Sequence, residues 1–267
     1  MERARLKNII ILILLMLNLF LLSSMALRQF RASGAQDRIA QELTELFASD
    51  GISLDASAVP AGSAPATRTP IRSTDEDRLL AVFFLGDDLS AQDEGGGIYT
   101  CRSSRGEALF RSNGSFDIRL LTSDGLPEDQ ILQFCQDFGY QDLAWTAQDN
   151  GSSSASAVQY VDGCPVNDAT AVFHMESGRL TAVSGIHLPQ SSNVSEESSL
   201  SAATAMTLFL RERRTGGAVV SSVNRVYPCY RLQTTTASPM TLSPAWCILT
   251  DTGAYYVNAI TGAVTLP

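Results

Sequence analysis

The sequence predicts an α+β protein with an N-terminal transmembrane helix followed by two lobes, each a helix packed on an antiparallel meander sheet. Three observations predict it. Ile9–Leu27 is an apolar span of 19 residues broken only by Asn18, Ser23 and Ser24. Short apolar runs beyond it alternate with period two and are separated by Gly, Asn, Asp and Ser turns. Helical stripes stand ahead of those runs, and a helix laid on one face of a sheet buries the apolar sides of both.

As a helix, the first span rises roughly 28 Å, close to the thickness of the hydrocarbon core. Arg3, Arg5, Lys7 and the amino terminus favour a cytoplasmic N-terminus, against Arg28, Arg31 and Arg38 on the far side, and that orientation sends the rest of the chain outside. Ser24-Met25-Ala26 also has the small residues of a signal-peptide cleavage site, but the apolar span is long for a signal peptide and favours a retained anchor. Either reading exports the body. Asn18 sits near the bilayer centre, either bonded to its own backbone or bonded to a partner helix.

Arg38–Phe47 carries a helical stripe of Ile39, Leu43, Leu46 and Phe47, and Gly51 suits its end. Pro60, Pro65 and Pro70 then lie among Ala, Ser and Thr, the composition of a linker or extended arm outside the core. Leu79–Leu85 is continuously apolar and reads as a strand buried on both faces. A meander follows: Ile98–Arg102, Glu107–Arg111, and a strand with alternating Phe116, Ile118 and Leu120. Pro127 opens a helix, with Glu128 and Asp129 in its first turn; Ile131, Phe134, Cys135 and Phe138 form its buried stripe and Gly139 stops it. Strands return at Leu143–Thr146, at Ala157–Val161 after a soft loop over Asp149–Ser156, at Thr170–Met175 and at Arg179–Ile186. Leu200–Arg214 is helical and stopped by Gly216-Gly217. Val219–Val226, Tyr230–Thr234, Trp246–Thr250, Ala254–Val257 and Ala263–Thr265 complete the second lobe. The organisation is thus a cytoplasmic tail over 1–8, the transmembrane helix over 9–27, a helix plus Pro/Ala-rich linker over 28–77, a first lobe over 78–188, a linker over 189–198 and a second lobe over 199–267.

Composition narrows the function. The 267 residues carry a net charge of −9, with 45% hydrophobic and 18% charged residues. Residues 1–31 hold five basic residues against Glu2, a net +4, which leaves −13 on the other 236. Such a body does not fit nucleic acid, which demands basic surface. The single lysine, Lys7, precedes the fold, so phosphate-loop, kinase, Ser-x-x-Lys and Schiff-base chemistry are excluded. The five cysteines lack C-x-x-C spacing and read as small buried hydrophobes, with at least one free thiol and one disulfide left open. Asp251-Thr252-Gly253 matches the aspartic-protease tripeptide, but too little chain follows it to build a cleft, and it reads as a hairpin turn. Asp87-Asp88 and Asp93-Glu94 lack the alternation of a calcium loop. His174 and His187 lie on strands joined by a hairpin, where they can face each other; with no carboxylate or cysteine beside them they read as satisfied or surface histidines. No catalytic, cofactor-binding or metal-binding residue is expected.

Arg5-Leu6-Lys7-Asn8 with the following Ile/Leu run and Asn18–Leu22 resembles the tail and anchor of YycH/YycI-type proteins, the membrane-anchored regulators of the cell-wall-sensing two-component system of Gram-positive bacteria. Tyr160–Val166, Ala171–Met175 and Gly178–Leu180 are similar to that family's G-x-P, strand, turn, strand unit. Pro244-x-Trp246 and Asp251-x-Gly253-x-Tyr255-Tyr256-Val257-x-Ala259-x-Thr261-Gly262-x-Val264 resemble its closing unit, which also occurs in PepSY-like domains. The resemblance implies PepSY-like lobes outside the cell, no enzymatic activity and no cofactor. It implies contact with a membrane sensor histidine kinase, and with a related YycH-type protein, through the transmembrane helix in the lipid bilayer. Leu14, Asn18, Leu21 and Leu22 share one helical face and are the expected contact residues. The alternative is an exported PepSY-like binding or peptidase-inhibitor module acting through its lobes. Extra cysteines, the linker over 52–76 and the near-absence of lysine depart from the family.

Overall fold

The computed structural model describes residues 14, 16–18, 20, 21, 34, 36–121, 128–147, 152–195, 197–217, 219–233 and 240–265. Helix α1 covers 36–49 and buries Ala40, Leu43 and Phe47. The segment after it is not a linker. It forms β1 (Ser53–Leu54), a single 3-10 turn (Ala56–Ala58) and β2 (Thr67–Pro70). Asp55 caps that turn by accepting from the Ser57 N–H at 2.8 Å. Ile52, Leu54, Val59 and Ala64 are buried against Met206, Phe209 and Trp246. The composition misleads because the partners of this arm lie far along the chain: Ser53 pairs with Ser222 in a parallel bridge.

Leu79–Leu85 is not a strand. It is the second half of helix α2 (Thr74–Leu85). Ser73 caps the helix by accepting from the Asp75 N–H at 3.1 Å, and Asp75, Glu76 and Asp77 sit where the helix dipole favours anions. The capped polar turn brings the element to 12 residues, a helix length. Its buried stripe is Asp77, Leu80, Ala81, Phe84 and Leu85, while Leu79 is exposed.

Four strands follow α2: β3 (Ser90–Gly95), β4 (Ile98–Ser103), β5 (Gly106–Arg111) and β6 (Ser115–Leu120). Helix α3 (Asp129–Phe138) ends at Gly139 in the left-handed conformation, as expected; Pro127 lies outside the described residues. Four more strands come next: β7 (Tyr140–Ala147), β8 (Ser152–Val161), β9 (Cys164–Glu176) and β10 (Arg179–Ile186). Ser152–Ser156, expected as loop, therefore belongs to β8, and its serines pair with the far end of β9. The two meanders join through their last strands, giving the antiparallel order β3-β4-β5-β6-β10-β9-β8-β7. The first lobe is thus two helix-plus-four-strand units fused edge to edge, not one helix on one meander.

The second lobe repeats that unit with α4 (Ala202–Gly216), β12 (Ser222–Gln233), β13 (Thr241–Thr250), β14 (Gly253–Asn258) and β15 (Val264–Thr265). Ser201 caps α4 and Gly217 ends it in the left-handed conformation. The Ser-rich stretch ahead of α4 is not merely a linker: β11 (Ser192–Ser195) pairs with β2. Two strands expected around Pro228 are one strand, β12. Among the described residues, β12 has a second neighbour only at Ser222 and Val223, on β1, and at Tyr230, on β9. Pro228, which has no N–H to offer, falls in the gap. Trp246 is buried and donates from Nε1 to the Leu200 carbonyl at 2.9 Å.

A small core of Val166, Ala169, Leu188, Tyr230, Met240 and Leu242 joins the lobes. Asp168 of β9 accepts from Arg231 Nε and from the Leu232 N–H, both at 2.8 Å. Arg68 of β2 pairs with Asp162 of the β8–β9 turn.

Candidate functional site

The expected contact residues fall at the start of the chain. Leu14, Asn18 and Leu21 are helical and exposed; Leu22 lies outside the described residues. Their spacing of four and three places them on one face. Among the described residues, no helix is long and apolar enough to cross a membrane; most of 9–27 is not among them.

The other residues weighed in the sequence have structural placements. Asp251 sits in the β13–β14 turn, where its carboxylate accepts from the Ser221 and Ser222 N–H groups at 3.1 and 3.3 Å; those bonds hold its pKa down. Asp93 accepts from the Gly95 N–H at 2.9 Å and so closes the β3–β4 turn. The two histidines do not face each other. His174 pairs across from Ala182 and is exposed. His187 follows the other end of the hairpin, buried against Phe138 and Tyr140, and burial lowers its pKa to about 4. All five cysteines are free thiols. Burial pushes the Cys135 thiol up to about 11 and the Cys229 thiol higher, which keeps them protonated and unreactive. Among the described residues, no group of three or more His, Cys, Asp or Glu is placed to hold a metal ion.

The concave site that sequence reasoning missed lies between the lobes, in the gap beside Pro228. It is a cleft of about 380 Å³ lined by Asp142, Tyr160, Asn167, Arg225, Tyr227 and Leu249, among others. Asp142 occupies a bulge in β7 with φ of +55°, an uncommon conformation for a residue with a side chain. The Tyr160 hydroxyl donates to Asp142 Oδ2 at 2.6 Å. Burial, reinforced by that carboxylate, raises the Tyr160 pKa to about 12, so the phenol stays a donor. On β12 the Arg225 guanidinium carbon lies over the Tyr227 ring, 5.2 Å from its centre. Arg225 makes no ion pair among the described residues, unlike Arg68 and Arg231 nearby. Asn167 Nδ2 is buried without a hydrogen-bond partner. The cleft therefore has one exposed guanidinium without an ion pair and, within its wall, one buried amide nitrogen without a partner, at a domain boundary where ligand sites are common. Arg225 and Asn167 are 58 positions apart, and no local pattern announces their meeting.

No protein-family model and no curated protein matches the sequence. Solved structures do match. An uncharacterized protein from Eubacterium rectale ATCC 33656 superposes with a TM-score of 0.50 at 10% identity, over 81% of this chain and 90% of that one. The Bacillus megaterium YpeB C-terminal domain gives 0.38 at 10% identity, over 74% and 98%. YycH from Bacillus subtilis gives 0.38 at 11% identity, over 76% of this chain and 53% of that one. At these identities the likeness is one of fold: this chain shares an α+β architecture with the Eubacterium rectale protein.

Proposed function

We propose that this chain is a non-enzymatic, membrane-anchored regulator of a sensor histidine kinase controlling cell-wall metabolism. Its N-terminus lies in the cytoplasm and its two lobes form an extracytoplasmic sensing body. The observation that supports the reading is the exposed face of Leu14, Asn18 and Leu21, which offers one amide among leucines to a neighbouring helix. In a bilayer such an amide contributes about 0.6–2 kcal/mol to helix association. The test is an in-membrane association assay against the host's sensor kinases. Exchanging Ile9–Leu27 for an unrelated transmembrane helix is expected to abolish association. Asn18→Leu is expected to weaken it by about 3–30-fold. Association that survives the helix exchange rejects the anchor as the contact.

The interlobe cleft favours a second reading, an exported binding or peptidase-inhibitor module acting through the lobes. That module keeps its activity when residues 1–34 are removed; the anchored regulator loses it.

A further inference from the structure

We infer that the interlobe cleft binds the C-terminal carboxylate of a short apolar peptide. The inference goes beyond the proposed kinase contact, because it concerns the lobes alone and holds with or without the anchor.

Three observations carry it. The first is the state of Arg225. In a body with a large excess of acid, the arginines at the lobe boundary are taken: Arg68 by Asp162 and Arg231 by Asp168. Arg225 lies instead over the Tyr227 ring, and among the described residues its N–H fork makes no ion pair. A fork of that shape fits a carboxylate with two parallel bonds. The second is Asn167, whose buried Nδ2 lacks an acceptor. Leaving such a donor unmet costs free energy, and a rotation of the Asn167 side chain toward an acceptor on a ligand in the cleft relieves the cost. The third is the opposite wall. Asp142 already accepts from Tyr160, and its remaining oxygen capacity suits a peptide N–H. Its negative charge also sits badly with a dianion, which selects a carboxylate over a phosphate. Val158, Pro165 and Leu249 supply the apolar surface between these poles, and the volume of about 380 Å³ suits a ligand of two or three small residues.

The test uses the full chain in detergent micelles and titration calorimetry with N-acetyl-Leu-Ala as the free acid and as its C-terminal amide. The acid is expected to bind about tenfold or more tightly than the amide, since only the acid engages the guanidinium. Arg225→Gln is expected to erase that preference, and Asn167→Leu to weaken the acid. Arg225 is exposed, so the variant should keep the wild-type far-UV circular dichroism and thermal midpoint. Equal binding of acid and amide overturns the inference. So does no binding of the acid up to about 10 mM, a preference that survives Arg225→Gln, or inorganic phosphate competing as well as the acid.

Discussion

The first lobe is made from one stretch of chain, running from α2 to Leu188, whereas the second is made from two stretches that lie on either side of it. The first has an aromatic centre. The Phe134 ring lies 4.8–5.6 Å from the rings of Phe83, Phe84, Phe138, Tyr140 and Phe173. The second depends on closure of distant segments: Phe47 of α1 stacks on Phe209 of α4 at 6.2 Å, and Arg214 grips Asp50 through bonds of 2.6 and 2.8 Å. One lobe draws its core from sequence neighbours. The other cannot complete its core until the two flanking parts of the chain meet.

The largest test of that contrast is a pair of truncations. Phe134→Ala should destabilise the first lobe by about 4 kcal/mol and Phe47→Ala the second by about 3 kcal/mol. Urea unfolding followed by lobe-specific probes should show each variant shifting its own lobe more. Equal shifts in both lobes would mean one cooperative unit and would dissolve the distinction.

Acid sharpens the contrast next, because His187 belongs to the first lobe's end of the boundary. Its pKa falls from 6.5 to about 4 through burial. The unfolded chain takes a proton that the native state refuses, so stability is complete above pH 6.5 and declines as pH drops toward 4. The loss across that window should be about 3 kcal/mol. His187→Gln should flatten it. The carboxylates held low, Asp50, Asp55 and Asp251, lose their contribution only below their ordinary value of 3.8, outside the window.

Asp168→Ala probes the seam itself. It strips Arg231 and the Leu232 N–H of their acceptor, at a cost of about 1–3 kcal/mol. Calorimetry should then place the thermal transitions of the two lobes further apart than in the protein with its seam intact. The smallest effect is chemical. Of the five thiols only Cys164 is incompletely buried, so a thiol reagent should modify it ahead of the other four in the native protein, and all five at similar rates in urea.

Much of this fold was legible. β10 occupies Arg179–Ile186, as the turn at Glu176-Ser177-Gly178 predicted, and Ser177 and Gly178 both adopt positive φ there. α3 ends at Gly139 for the same kind of reason. The errors have physical causes. LLAVFFL carries no period, and the signal for a helix lies in the cap at Ser73 rather than in the apolar run. The arm over 52–76 is poor in large apolar residues, and its few, such as Ile52, Leu54 and Val59, are buried in a core that α1 shares with partners in the last third of the chain. Spacing alone puts Leu14, Asn18, Leu21 and Leu22 on one helical face, and of these Leu14, Asn18 and Leu21 are helical and exposed. Arg225 was not legible as the wall of a cleft, because its lack of an ion pair among the described residues and its nearness to Asn167 both depend on how distant strands meet.

By itself the sequence determined where the chain turns, which strand faces are apolar, and that an acidic body follows an apolar N-terminal span. Those properties follow from backbone geometry and side-chain alternation, which act over a few residues. Only the tertiary structure decided that α1 and the arm complete the second lobe, that two meanders fuse through β6 and β10, and that a cleft opens where β12 lacks a neighbour. Those outcomes rest on packing among segments that lie far apart along the chain, from Ala40 to Ala259 in one core, and short-range pattern holds no record of which distant surface completes a core.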